Sequence, residues 1–194
     1  MTTEAPSLSL LRDTRYTMIP HRVRGVAAGR AALDLEARHD AQHPLQLRAD
    51  GNAVQYNVLL AYTRSVTCVA ALHCRDLLRF LGVQGDGAGN LRACDSSETA
   101  AMPDPPVGAI SIDMFRTAAG EPLARMPLSA VNAFAEPPAV AHAWALTCDL
   151  ASQPLAHAMR DPRWTSGLLA PALHRAFDTV PLALSQWFYE RAVL

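Results

Sequence analysis

The chain contains no lysine: all 17 of its basic residues are arginine, set against 18 acidic ones for a formal net charge of -1. Without an ε-amine there is no Schiff base with a carbonyl substrate, no pyridoxal-phosphate anchor, no Walker-type phosphate loop and no protein-kinase active site, because each of these centres on a lysine. The near-neutral balance also removes the broad positive field on which general nucleic-acid binders depend, leaving room only for a local basic patch. Cysteine is sparse, with Cys68, Cys74, Cys94 and Cys148 in 194 residues, far from the density of a secreted disulfide scaffold. Cys68 and Cys74 fall on one expected helix and on different sides of it, so a bridge between them needs that helix broken. Long hydrophobic runs are lacking too. The longest weakly polar stretch, Pro137 to Cys148, contains His142 and falls short of the roughly 20 residues that span a bilayer. The segment MTTEAPSLSLLRDTR carries Glu4, no basic opening region and only a short apolar run, unlike a secretory signal. The expectation is a reduced, cytoplasmic protein without membrane insertion. Its alanine richness and exclusive use of arginine point to a GC-rich bacterial genome.

What is present is a globular composition, 50% apolar and 18% charged, long enough for one domain with a real core. Ala53 to Leu81 gives the clearest pattern. Leu59, Tyr62, Val66, Val69 or Ala70, His73, Leu77 and Phe80 or Leu81 recur at helical spacing, with Asn57, Arg64, Cys68, Arg75 and Arg79 on another flank. Gly82 supplies a natural left-handed end to this long central helix, and Arg79 in its last turn suits the helix dipole. Tyr16 to Ile19 and Ala32 to Ala37 read as short edge strands, and Val107 to Phe115 as a half-buried strand with Ile110, Ile112 and Met114 alternating against Ser111 and Asp113.

Punctuation divides the remainder. Arg38 to Pro44 is a polar loop, Gly82 to Pro106 is rich in glycine and proline and predicts a mobile loop, and Gly120-Glu121-Pro122 marks a turn. Pro127 to Phe134 predicts a helix stopped by Pro137-Pro138, Ala139 to Met159 a second one kinked at Pro154, and Asp161-Pro162 a helix start. Pro171 and Pro181 then cut the end of the chain into short helices whose terminal Trp187, Phe188 and Tyr189 dock on the core. The fold class is therefore α+β and predominantly helical: a long central helix and short C-terminal helices with a small antiparallel sheet, in a single domain over 1–194. An all-α bundle is the alternative.

Residues able to carry chemistry are few. His39 and His43 stand at the spacing that puts two imidazoles on one helix face, but Pro44 follows and no third ligand is near, so they read as exposed loop histidines. His73 on the apolar face reads first as a buried core histidine; as a metal or haem ligand it needs a partner such as His142 or His157. No Cys-x-x-Cys-His segment occurs, which excludes covalent haem attachment. His142, Cys148 and Asp149 form the most chemically loaded stretch. His142 and Asp149 share a face about 10 Å apart along the axis, too far for a direct hydrogen bond. Cys148 is a nucleophile only if a histidine from elsewhere activates it. Gly85-Asp86-Gly87-Ala88-Gly89-Asn90 lacks the preceding strand and sixth-position glycine of a dinucleotide loop, and reads as a linker. Arg64, Arg75 and Arg79 form a stripe suited to bidentate recognition of a protein partner, or else an ordinary solvated face.

These readings favour a non-catalytic accessory or adaptor protein that binds a protein partner. No cofactor is predicted, and nucleic acid is not an expected partner. A metal- or haem-binding protein, or a small enzyme using His142, Cys148 and Asp149, is the alternative.

Overall fold

The computed structural model describes residues 6–94 and 110–193, with backbone alone at 47, 49 and 54–57. The chain begins with α1 (Leu8–Asp13), which runs through a π-turn at Thr14–Met18 into α2 (Ile19–Arg38). The expected strands at 16–19 and 32–37 are thus helical. Alternation over four residues at Asp34–Ala37 is outweighed by a longer stripe in which Ile19, Val26, Gly29, Ala32 and Leu33 are buried at helical spacing. Alanines along the same segment carry no helix-propensity penalty, and Arg30 pairs with Asp34 one turn on.

A two-stranded antiparallel ribbon follows, β1 (Pro44–Ala49) and β2 (Asn52–Val58). Its two-residue turn is Asp50-Gly51, with φ of 50° and 80°. Positive φ at both central residues is the mirror-image turn whose twist matches a hairpin. The segment 53–58, expected as the first turns of the central helix, is therefore a strand, and α3 runs only over Leu59–Leu81. It ends as its sequence predicts: Gly82 sits at φ 98°, its N–H donating to the carbonyls of Leu78 and Arg79.

The expected stripe is buried at Leu59, Ala70, Leu77, Phe80 and Leu81, whereas at Tyr62, Val66 and His73 the next residues, Thr63, Thr67 and Cys74, take the buried places. Cys68 joins this core, whereas Val69 is 43% exposed. Small side chains are buried here because α2 passes very close. A Cβ at Gly29 would fall 2.1 Å from the Ala70 Cβ, and one at Gly25 would fall 2.2 Å from His73 Cδ2. Thr63 keeps its buried hydroxyl satisfied by donating to Glu36 Oε2 at 2.9 Å.

Beyond Gly82, β3 (Val83–Gly85) pairs with β4 (Leu91–Ala93). The Asp86 carboxylate closes the connecting loop, accepting from the N–H of Ala88 at 2.7 Å and of Asn90 at 3.0 Å. These donors hold the Asp86 carboxyl below its ordinary range. The first part of the expected 82–106 loop is thus a hairpin, and its remainder, 95–106, lies outside the described residues. Of the strand expected over 107–115, residues 107–109 lie outside them as well. Ile112–Met114 form a 3-10 turn, which brings Ile112 and Phe115 into the core three positions apart.

In the last third, prolines open helices instead of ending them. Leu128–Ala133 is a 3-10 turn, and Pro137-Pro138 start α4 (Pro137–Ala151) instead of ending the helix before it. A proline in the first helical turn loses no hydrogen bond, because that N–H has no intrahelical partner. The same reason admits Pro171 into the first turn of α6 (Leu169–Leu184), a continuous helix that also tolerates Pro181 near its end. Pro154 separates α4 from the short α5 (Leu155–Ala158), so 139–159 is two helices. A second π-turn, Ser185–Tyr189, closes the helical run. The molecule is predominantly helical, with small antiparallel hairpins.

One core joins these pieces around α3. Trp144 on α4 is 1% exposed, and its indole N–H donates to Thr179 Oγ1 on α6 at 2.8 Å. At the far end, Phe80, Phe115 and Phe188 meet edge to face, with centroids 4.8 Å to 5.9 Å apart. Among the described residues no helix is long and apolar enough to cross a membrane.

Candidate functional site

A polar cleft of about 460 Å³ opens where the last turns of α3 meet β3 and the end of α4. Arg75 and Arg79, one turn apart on α3, form one wall. Cys148, Asp149 and Ser152 on α4 form another, and Gly85 and Gly87 of the β3 hairpin reach its rim. Gly85 permits this close approach, since a Cβ there would lie 2.9 Å from the Cys148 Cβ. Gln84, Gln153 and Arg163 complete the lining.

The arginines differ in what they already hold. Arg75 Nη1 donates to the Ala151 carbonyl at 2.7 Å, satisfying a helix-end acceptor at the favourable pole of α4. Its Nε is buried without a partner. Arg79 is exposed and, among the described residues, meets no acceptor. Arg163 is committed to Asp161, with contacts of 2.7 Å to 3.1 Å from Nε and Nη2. Asp161 also accepts from the Arg163 N–H at 2.9 Å and from Gln153 Nε2 at 2.9 Å. It is both the cap of the 3-10 turn Pro162–Trp164 and the hub that fixes one side of the cleft.

These donors, the Arg163 guanidinium foremost, hold the Asp161 carboxyl far below its ordinary range. The depressed folded-state value means that the stability it contributes is fully present above about pH 4 and is lost as the pH falls toward that depressed value. Asp161→Ala is expected to lower stability by about 2–3 kcal/mol, the cost of removing a cap and leaving charged donors unmatched. Urea unfolding at neutral pH measures it, and a loss under about 0.5 kcal/mol would contradict the assigned role.

Asp149 on the opposite wall is raised by burial, with Arg163 pulling the other way and Asp86 adding to the rise. Its carboxylate accepts no hydrogen bond among the described residues. Burial pushes the Cys148 thiol up to about 11, so it stays protonated at neutral pH. Cys68 rises to about 11 for the same reason, and Cys74 rises with it.

The structure brings together two sets that the sequence kept apart, Arg75 and Arg79 from the stripe and Cys148 and Asp149 from the loaded segment. It leaves the others elsewhere. Arg64 lies 5.1 Å over the Trp164 ring, 3.9 Å from Glu36, and donates to the Met159 carbonyl at 3.4 Å. His142 and His157 are exposed and do not line the cleft. His73 stands edge-on to His21 at 5.6 Å, and its pKa is lowered by burial. His39 and His43 stack at 5.2 Å in the loop before the ribbon. Among the described residues no three of His, Cys, Asp and Glu gather as a metal ion would need. Sequence reasoning missed Gln153 and Arg163. The acid-proline start at Asp161 was their nearest signal, since a capping carboxylate there draws in an arginine two residues on.

The β1–β2 ribbon is the second candidate. It is a two-stranded sheet, and among the described residues no further backbone segment pairs with its outer edges. Its base is fixed to the body by the N–H of Leu59 donating to His43 O at 2.8 Å and that of Leu60 to Ala41 O at 3.1 Å. Pro44, Arg48, Ala53 and Val58 are exposed. The chain matches no protein-family model, no curated protein and no solved structure.

Proposed function

We propose that this chain is a non-catalytic accessory or adaptor protein of a bacterial cytoplasm, which meets a protein partner through the β1–β2 ribbon. The observation that carries the reading is the open ladder. The ribbon stands as a two-stranded sheet, with no further described strand on either outer edge. A lone two-stranded hairpin is marginal in water, and an added strand from another protein stabilises it while supplying main-chain affinity. Exposed edges are normally shortened, covered or blunted by charge and proline. Here Pro44 and Arg48 guard β1, and an extended partner segment has β2 left to align with. The raised thiol of Cys148 further favours a binding role over nucleophilic chemistry.

The test compares the whole protein with a variant whose residues 45–57 are replaced by a short Gly/Ser linker, and with Arg48→Pro as a lighter disturbance. Each is used to capture partners from the lysate of its own cells. The expected result is one reproducible partner held by the parent chain and lost with the ribbon, while helical circular dichroism stays unchanged. Capture that survives ribbon removal overturns the reading, as does a parent chain that captures nothing or forms only a ribbon-dependent homodimer.

A further inference from the structure

The cleft beside Arg79 has a character that partner binding at the ribbon does not use. Its wall carries Arg75, Arg79 and Arg163 against Asp149, and the charge of Arg163 is already offset by Asp161. Arg75 Nη2 likewise lies 3.4 Å from Asp76, which Arg22 shares at 3.5 Å, so Arg79 is the guanidinium left open toward Asp149. Arg79 meets no acceptor among the described residues, and the buried Arg75 Nε has no partner. An arriving anion would give Arg79 the planar, two-pronged acceptor that guanidinium groups recognise best. The volume, about 460 Å³, lies in the range of small-molecule sites and is too small for a folded partner.

The geometry points to a binding site for a small oxyanion, a phosphate- or carboxylate-bearing metabolite whose charged oxygens lie between Arg79 and Arg75. Asp149 faces this position from α4. Ionised, it repels such a ligand; protonated, it donates a hydrogen bond to it. Burial already tilts Asp149 toward the protonated form. The site stands independently of the ribbon, so its outcome neither rescues nor sinks the partner reading.

Isothermal titration of the full chain with orthophosphate in one arm and succinate in the other tests the site and separates the two sources of oxyanion. Saturable binding of at least one is expected at millimolar concentration. Arg79→Gln should weaken it by about tenfold, the loss of one charge-assisted interaction of roughly 1.4 kcal/mol. Arg79→Lys should recover only part of that loss, because it restores charge without the fork. Asp149→Asn should strengthen binding severalfold by removing the opposing charge. Since Arg79 is exposed and meets no acceptor among the described residues, its variants should unfold at the parent temperature in ligand-free buffer, which separates lost binding from lost fold. The inference is overturned if neither anion binds, if binding is indifferent to Arg79→Gln, or if Asp149→Asn weakens it.

Discussion

Truncation of Phe188 to alanine should destabilise the fold by about 3–5 kcal/mol, the range for removing a large aromatic from a packed core. The side chain is fully buried and closes a three-ring cluster, 4.9 Å from Phe80 on α3 and 4.8 Å from Phe115 after the 3-10 turn. Arg15 adds a cation over the same ring at 5.7 Å. The cluster ties together segments from the start, middle and end of the chain, so neighbours cannot collapse inward to refill the space without dragging whole elements. Its sequence neighbour Trp187 is a matched control. It is half-buried with Arg191 stacked 4.0 Å over it, and Trp187→Ala should cost well under half as much. Urea unfolding of both variants measures the difference. Equal losses for the two, or less than about 1 kcal/mol for Phe188→Ala, would mean that the cluster does not anchor the C-terminal end.

The second large effect reverses an ordinary sign. Glycine to alanine inside a helix usually gains about 1 kcal/mol. At Gly29 it should instead lose about 1–3 kcal/mol, because the new methyl meets the Ala70 Cβ at 2.1 Å and Phe177 Cε2 at 3.0 Å. Both obstacles are rigid: one is the first atom of a side chain on α3, the other a ring held between α2, α3 and α6. Gly25→Ala should be milder, since it meets the tip of His73, an intermediate-exposure side chain that can rotate away. Adding Ala70→Gly to Gly29→Ala should recover part of the loss, a coupling expected only for residues in contact. Thermal unfolding of the single and double variants decides it. A Gly29→Ala protein as stable as the parent would show that α2 and α3 have room to separate.

Those contacts also explain what could be read from the chain and what could not. The C-terminal part of α3 was legible because its pattern, the Gly82 stop and the Arg79 charge agree with one another. Its start was misplaced by six residues, since apolar spacing carried on through 53–58 while the decisive signal was the Asp50-Gly51 pair upstream. The prolines misled for a related reason: the residue disrupts a helix interior but is neutral in a first turn, and sequence alone does not number the turns. Helix α2 is masked by short alternations because Gly29 and Ala32, whose hydrophobic signal is faint, interrupt the buried stripe of Ile19, Val26 and Leu33. In the cleft, the arginine pair and the Cys148-Asp149 pair each stood out, yet their meeting depends on how α3 and α4 pack. For Arg163 the one local signal is the Asp161-Pro162 start, which marks a cap and not a cleft wall.

The pairing of Arg15 with Tyr189 and Ala192 bears on how the fold is made. Arg15 Nη1 donates to the Ala192 carbonyl at 2.8 Å, and Tyr189 returns a hydrogen bond to the Arg15 carbonyl at 3.2 Å. Helices α2 and α3 are joined only by a ribbon, so they can pair while the ribosome is still translating the segments beyond them. The clasp cannot close until residue 192 has been added, and the loop it seals runs from residue 15 to residue 192, the entropically slowest kind to form. A nascent chain stalled before Gln186 therefore keeps Phe80 and its surroundings open to water, and in that interval chaperones have their binding surface.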